Sequence, residues 1–190
     1  MVLMAAALSC PEPGLEALLS GYSRLLSPLL ARWGWSSAQL QQALEQVRSD
    51  AIRTDLPAWL ALHRFYPGVV ERLRQLEREG VTWMVLTTKG EAFARQILRA
   101  EGLEPAALHG HEQGSKPEVL KRLLAHHTAL WFVEDRRPTL EQVRADPALA
   151  PVRCFLASWG YLAPEDGVAL PMGIHWLEPE RFAAPLAQWP

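Results

Sequence analysis

The sequence predicts an α/β protein, a doubly wound parallel sheet preceded by a purely helical segment, and three observations carry that prediction. Strand-like apolar runs and amphipathic helical patterns alternate from residue 65 to the end, the signature of parallel strands joined by helical crossovers. The apolar run Trp131-Phe132-Val133 ends abruptly in Glu134-Asp135, and acids at the carboxyl end of a buried strand sit where open α/β sheets place their ligands. The chain has 190 residues, of which 49% are apolar, enough for one core with a modest helical appendage.

The elements follow in order. Residues 15–30 place Leu15, Leu18, Leu19, Tyr22, Leu25, Leu26, Leu29 and Leu30 at helical spacing, and residues 36–52 do the same with Leu40, Ala43, Leu44, Val47 and Ala51, so two amphipathic helices are expected. Gly34 is placed to end the first, and a serine of Ser36-Ser37 to cap the second. Pro57 opens a short third helix, Phe65-Tyr66-Pro67-Gly68 breaks the pattern, and the boundary falls near residue 64, giving domains 1–64 and 65–190. Beyond it the pattern predicts helix 67–79 closed by Gly80, strand 81–87, helix 90–101 closed by Gly102, and a short strand near Leu108. Helix 117–126, strand 129–134, helix 138–145, strand 152–157 and a last strand Ile174 to Leu177 complete the chain.

Composition narrows the partners. A formal net charge of -2 without a run of like charges gives no electrostatic footprint for nucleic acid or an anionic membrane, and no apolar run approaches the ~20 residues of a membrane span. The two cysteines, Cys10 and Cys154, form no disulfide framework, and the opening residues lack the basic stretch of a secretory signal, so a cytoplasmic location is expected. Arginine outnumbers lysine sixteen to three. The lysines Lys89, Lys116 and Lys121 therefore draw attention, since an ammonium is a compact point charge suited to a phosphoryl oxygen.

Thr87-Thr88-Lys89 ends one predicted strand, Lys116-Pro117 opens a helix, and Glu134-Asp135 ends another strand. A hydroxyl, an ammonium and a carboxylate pair at one sheet edge suit phosphate chemistry. Each has an ordinary alternative. The threonines can cap the helix near Gly90, Lys116 can be a solvated first-turn residue beside a favourable Pro117, and the acids can complement a helix start. Arg136 and Arg137 flank the same edge, but ion-paired or solvated arginines are commoner, and they are left out of the predicted site. His109-x-His111 and His126-His127 lack a nearby cysteine, and strand alternation separates the first pair.

Taken together, Phe65-Tyr66-Pro67-Gly68-Val69, Leu86-Thr87-Thr88-Lys89, Lys116-Pro117, Phe132-Val133-Glu134-Asp135 and Ser158-Trp159-Gly160-Tyr161 resemble the haloacid dehalogenase superfamily of phosphohydrolases, in particular its phosphoglycolate phosphatase-like members. The resemblance spans roughly residues 65–177, and the preceding helices look like part of that family's helical cap. It implies a Rossmann-like core and a Mg²⁺-dependent phosphatase acting on a small phosphorylated metabolite. It further implies that Thr87 and Thr88 bind phosphate, that Lys116 neutralises charge, and that Asp135 with Glu134 holds Mg²⁺.

One motif is absent. The family's attacking carboxylate lies in an Asp-x-Asp pair ending the first core strand, whereas the aspartates here are Asp50, Asp55, Asp135, Asp146 and Asp166, none two apart. The resemblance therefore implies an N-terminally truncated relative that lacks the first core strand and has little or no turnover. The alternative is a non-catalytic phosphate-binding or regulatory protein. A missing strand would leave β-edges unpaired: the flanking strands close up, or Val2 to Leu8 fills the gap, or the core is damaged, and an edge left exposed invites self-association.

Overall fold

The computed structural model describes residues 25–190. The backbone is α/β with parallel sheets, and it divides into two compact units at Leu56/Pro57.

In the first unit, helix α1 runs to residue 32, and α2 spans Ser37–Thr54. Gly34 adopts φ +66°, the left-handed turn that ends a helix at least cost when no Cβ is present. Ser36 caps α2 through a capping box, its hydroxyl accepting from Gln39 N–H and its own N–H donating to the Gln39 side chain. The part of the first predicted helix before residue 25, and Val2 to Leu8, lie outside the described residues.

The second unit begins within the short helix α3 (Leu56–Ala61), then alternates as the pattern predicts: α4 (Val69–Arg78), β1 (Met84–Leu86), α5 (Glu91–Ala100), β2 (Ala107–His109), α6 (Lys116–Leu124), β3 (Leu130–Glu134), α7 (Arg137–Ala145), β4 (Val152–Ala157), β5 (Ile174–Leu177) and α8 (Pro179–Ala183). All strand pairings among the described residues are parallel. They form two sheets, β1-β2 and β3-β4-β5, and β1 does not pair with β3. Of the three outcomes the sequence left open, closing up of these flanking strands is not what the described residues do.

β4 is the middle strand of its sheet and is buried at every position except Arg153. On one side Phe132, Cys154 and Leu156 pack with Leu120 of α6 and with Leu140 and Val143 of α7. On the other, Phe155 and Leu177 pack with Phe182 and Trp189, joined by Trp131, Val133 and Val69. Helix α4 ties the two sheets into one body: Val69 joins that second cluster, while Val70 and Leu76 pack with Trp83, Leu98 and Leu108 around β1-β2.

Arg72 of α4 is fully buried. It is tolerated because Glu79 accepts from its guanidinium at 2.7 Å, and a buried charge needs such a partner.

Candidate functional site

The carboxyl ends of β1 and β3 carry the predicted residues. β1 is shorter than the predicted strand 81–87, since its ladder begins at Met84 opposite Ala107 and ends at Leu86 opposite His109. Thr87 still donates its N–H to the His109 carbonyl at 2.9 Å, while its Oγ1 accepts from Lys89 N–H at 3.1 Å. The hydroxyl thus stabilises the turn leaving the strand, a local use that Ser and Thr commonly serve. It does not cap α5, whose N-cap Gly90 has no side-chain bond. Thr88 follows in the turn and is exposed.

Lys116 is the first residue of α6. Ser115 before it forms a capping box with Glu118, which fixes where the helix starts and so where Lys116 projects. Its Nζ reaches across 18 residues of sequence to pair with Glu134 Oε2. The ordinary reading of Lys116 as a solvated first-turn residue is thereby excluded, because its side chain is only 18% exposed.

Glu134, the last residue of β3, is 6% exposed. Burial pushes its carboxyl above the usual carboxylate range, the Lys116 ammonium opposes that, and the neighbouring Asp135 adds to it. Its other oxygen, Oε1, is buried with no hydrogen-bond partner. Such a group costs free energy unless something satisfies it, so Glu134 presents an acceptor that is already desolvated.

Asp135 is half-buried and points toward the segment after β4. Its Oδ2 accepts from the backbone N–H of Tyr161 at 3.1 Å. The approach is close, since a Cβ on Gly160 would lie 2.1 Å from the Asp135 Cβ. Neither acid caps α7, whose N-cap is Arg136 and carries no side-chain bond. Ser158-Trp159-Gly160-Tyr161 is therefore joined to the acid pair through main chain and a glycine, where composition alone offers no signal.

The structure thus brings together Lys116, Glu134 and, through the chain, Asp135. Thr87 and Thr88 stand at the end of the neighbouring sheet, where Leu86 packs against the cluster that includes Phe132 and Leu120. His109 ends β2 and His111 lies in a short helical turn. Among the described residues, no group of three or more histidine, cysteine or carboxylate side chains stands ready to hold a metal ion. The acid pair with its orphaned oxygen offers hard oxygen donors of the kind Mg²⁺ takes, but only two carboxylates.

Known proteins resemble this chain. It is 32% identical over 117 residues to an N-acetylmuramic acid 6-phosphate phosphatase of Pseudomonas putida, a match covering 56% of this chain and 51% of that protein. It is also 32% identical over 126 residues to a protein of the same name from Pseudomonas aeruginosa, covering 60% of this chain and 51% of the relative. The chain spans about half the length of the curated relatives it matches. No protein-family model matches it, and no solved structure does. The resemblance to haloacid dehalogenase-like phosphatases, drawn above from five short motifs, is borne out by this similarity.

Proposed function

We propose that this chain builds the phosphate- and cation-receiving side of a haloacid dehalogenase-like phosphohydrolase site that takes a small phosphate ester. The observation that carries the reading is the Lys116–Glu134 ion pair with Asp135 beside it at the carboxyl end of β3. An ammonium held in a largely desolvated place is worth more to a phosphoryl oxygen than one in open water. Thr87 and Thr88 supply hydroxyl donors from the end of β1. The names of the relatives make a phosphorylated amino-sugar acid the first substrate class to try.

Asp135 and Glu134 are the residues that would hold Mg²⁺, with water and substrate oxygens supplying the remaining ligands. Bound there, the ion would neutralise charge on the phosphoryl oxygens. Lys116 keeps Glu134 in place and offsets its charge. The Tyr161 N–H orients Asp135.

Hydrolysis through a covalent aspartyl-phosphate requires a carboxylate that forms a bond to phosphorus as the ester oxygen leaves. These 190 residues contain no Asp-x-Asp pair, and Thr87, Lys116 and Asp135 do not replace an attacking carboxylate. Little or no turnover is therefore expected of this chain. A second reading, a non-catalytic phosphate-binding or regulatory protein, is favoured by the separation of β1 and β3 into different sheets. Among the described residues one edge of β1 and one edge of β3 have no strand partner, and such edges suit the addition of a strand from a partner or a second copy. A cytoplasmic setting accords with Cys154, a buried free thiol that burial pushes up to about 11, and no helix among the described residues is long and apolar enough to cross a membrane.

The test is a thermal melt of the 190-residue chain with inorganic phosphate, with MgCl₂ and with both, beside an assay on an aryl phosphate. A rise in melting temperature with phosphate and Mg²⁺ that is lost in Lys116→Ala and Asp135→Asn, without turnover, is expected. No shift with either ligand would remove the site. Robust Mg²⁺-dependent hydrolysis would instead remove the claim that the attacking group is missing.

A further inference from the structure

Between β4 and β5 the chain runs through residues 158–173 with no regular secondary structure, so other contacts must hold this loop in place. Its first turn touches the site, where Tyr161 N–H donates to Asp135. Leu162 and Leu170 pack against the core, and Ala163 N–H donates to the Asp166 carboxylate at 2.7 Å. Ala169 adopts φ +47°. A non-glycine residue in that region costs about 1 kcal/mol and stays there only when its surroundings require it.

The surroundings that require it centre on Arg137, the first residue of α7 and two positions beyond Asp135. One terminal nitrogen of its guanidinium donates to the carbonyls of Val168 at 2.8 Å and of Glu165 and Asp166 at 3.3 Å. The other terminal nitrogen reaches the Ala169 carbonyl at 3.4 Å, and Nε donates to Glu141 at 2.8 Å. A guanidinium has a fixed fork of donors and no acceptor, and here the fork is occupied by four main-chain carbonyls and a carboxylate. These contacts direct Arg137 at the loop and away from an incoming anion.

We propose that Arg137 is a positioning residue for Asp135. By gathering the carbonyls of residues 165–169 it fixes the loop whose first turn presents Tyr161 N–H to the Asp135 carboxylate. The acid and its clamp leave β3 together, so the orientation of Asp135 is set on one side by its own strand and on the other by a loop held from α7. An ammonium at position 137 would lack the planar fork that spans several carbonyls at once. The proposal rests on reading Asp135 as a cation ligand, and its test separates the two.

The experiment compares the 190-residue chain with Arg137→Ala and Arg137→Lys, using two readouts. The first is hydrogen exchange of the Tyr161 amide measured against that of Leu156, a fully buried residue of β4. The second is Mn²⁺ affinity by electron paramagnetic resonance. Arg137→Ala is expected to speed Tyr161 exchange relative to Leu156 and to weaken Mn²⁺ binding about tenfold, as loss of groups that orient metal ligands typically does, with Arg137→Lys in between. Unchanged Tyr161 protection overturns the proposal. So does equal acceleration at Tyr161 and Leu156, which would mark general destabilisation, and so does faster Tyr161 exchange with unchanged Mn²⁺ affinity. If the unaltered chain binds no Mn²⁺ while Tyr161 still responds, the cation reading fails and the clamp on Asp135 stands.

Discussion

The two sheets of the second unit carry opposite sides of the proposed site on unequal foundations. In β3-β4-β5 the middle strand is buried along nearly its whole length, with a packed cluster on each face. In β1-β2 each strand has three residues, none in β1 is fully buried, and in β2 only Leu108 is. The acid pair therefore stands on an edge strand backed by a buried neighbour and two packed clusters, whereas the threonines stand on a ladder three pairs long. What differs is how much each end depends on something further. Large effects on stability should come from the three-stranded side, and large effects of an added strand or ligand from the two-stranded side.

The comparison is tested most strongly by truncating one core-facing side chain in each sheet, fully buried in β4 and half-buried in β1. Phe155→Ala removes a ring that is fully buried between Trp131 and Trp189, and a loss of about 3–5 kcal/mol in urea unfolding is expected. Val85→Ala in β1 removes two methyl groups from a half-buried position, for which about 1 kcal/mol is expected. Equal losses would mean that the two sheets share one cooperative core and that the contrast drawn from burial is wrong.

Next in size is the pair that joins α6 to β3. Lys116→Ala leaves Glu134 buried with one oxygen newly unpaired beside one that already lacks a partner, and breaking a buried pair from one side costs about 3 kcal/mol. Adding Glu134→Gln to that variant removes the stranded charge and should recover part of the loss. The double-mutant cycle in urea unfolding measures this directly. Strict additivity would show that the two groups do not interact in solution.

The same contrast explains what the sequence made legible. Helix limits were visible because glycine and serine mark them physically: Gly80 and Gly102 adopt φ +71° and +66°, and Ser36 forms its capping box with Gln39. β3, β4 and β5 were visible because burial keeps their strands mainly apolar, interrupted only by the exposed Arg153 and by His175 before their ends. The predicted strand 81–87 contracted to Met84–Leu86 because Val81 N–H bonds back to Leu76 of the preceding helix and Thr87 turns its hydroxyl back to Lys89, local bonds that periodicity does not encode. The division into two sheets was beyond the pattern, since apolar runs identify strands but not their neighbours. Lys116 was found through the scarcity of lysine and the order of motifs, while nothing in the residues themselves announces its partner 18 positions away. Arg137 was set aside because ion-paired arginines are common, and it does pair with Glu141; its further partners, main-chain carbonyls 28 to 32 residues on, were not legible because a carbonyl has no residue type.

Acid provides the finest test of the contrast between the sheets. On the two-stranded side, Arg95 and Gln113 hold the Glu91 carboxyl below its ordinary value of 4.5. On the three-stranded side, Lys121, helped by the Ala148 N–H, holds Asp146 below its ordinary 3.8. For a carboxyl lowered by folding, the unfolded chain binds more protons in the window between the two values. Its contribution is then complete above the unfolded value and is lost as pH falls through the folded one. Glu134, raised by burial, has the opposite sign. Its contribution is complete below 4.5 and fades as pH rises through its folded value, so it does not cause an acid loss. The window of Glu91 opens at higher pH than that of Asp146, but Glu118 and Glu178 on the three-stranded side are lowered from the same 4.5. The comparison is therefore made in a Glu118→Gln, Glu178→Gln background, where on acidification β2 should lose protection before β4. Hydrogen exchange of Leu108 and Leu156 followed from pH 5 downward reads this order. Glu91→Gln should flatten the pH dependence at Leu108 alone, and Asp146→Asn the dependence at Leu156, each by a small amount because both carboxylates lie near solvent. Simultaneous loss at the two amides would show that acid opens the unit as a whole, with α4 holding the sheets together more tightly than their separate clusters suggest.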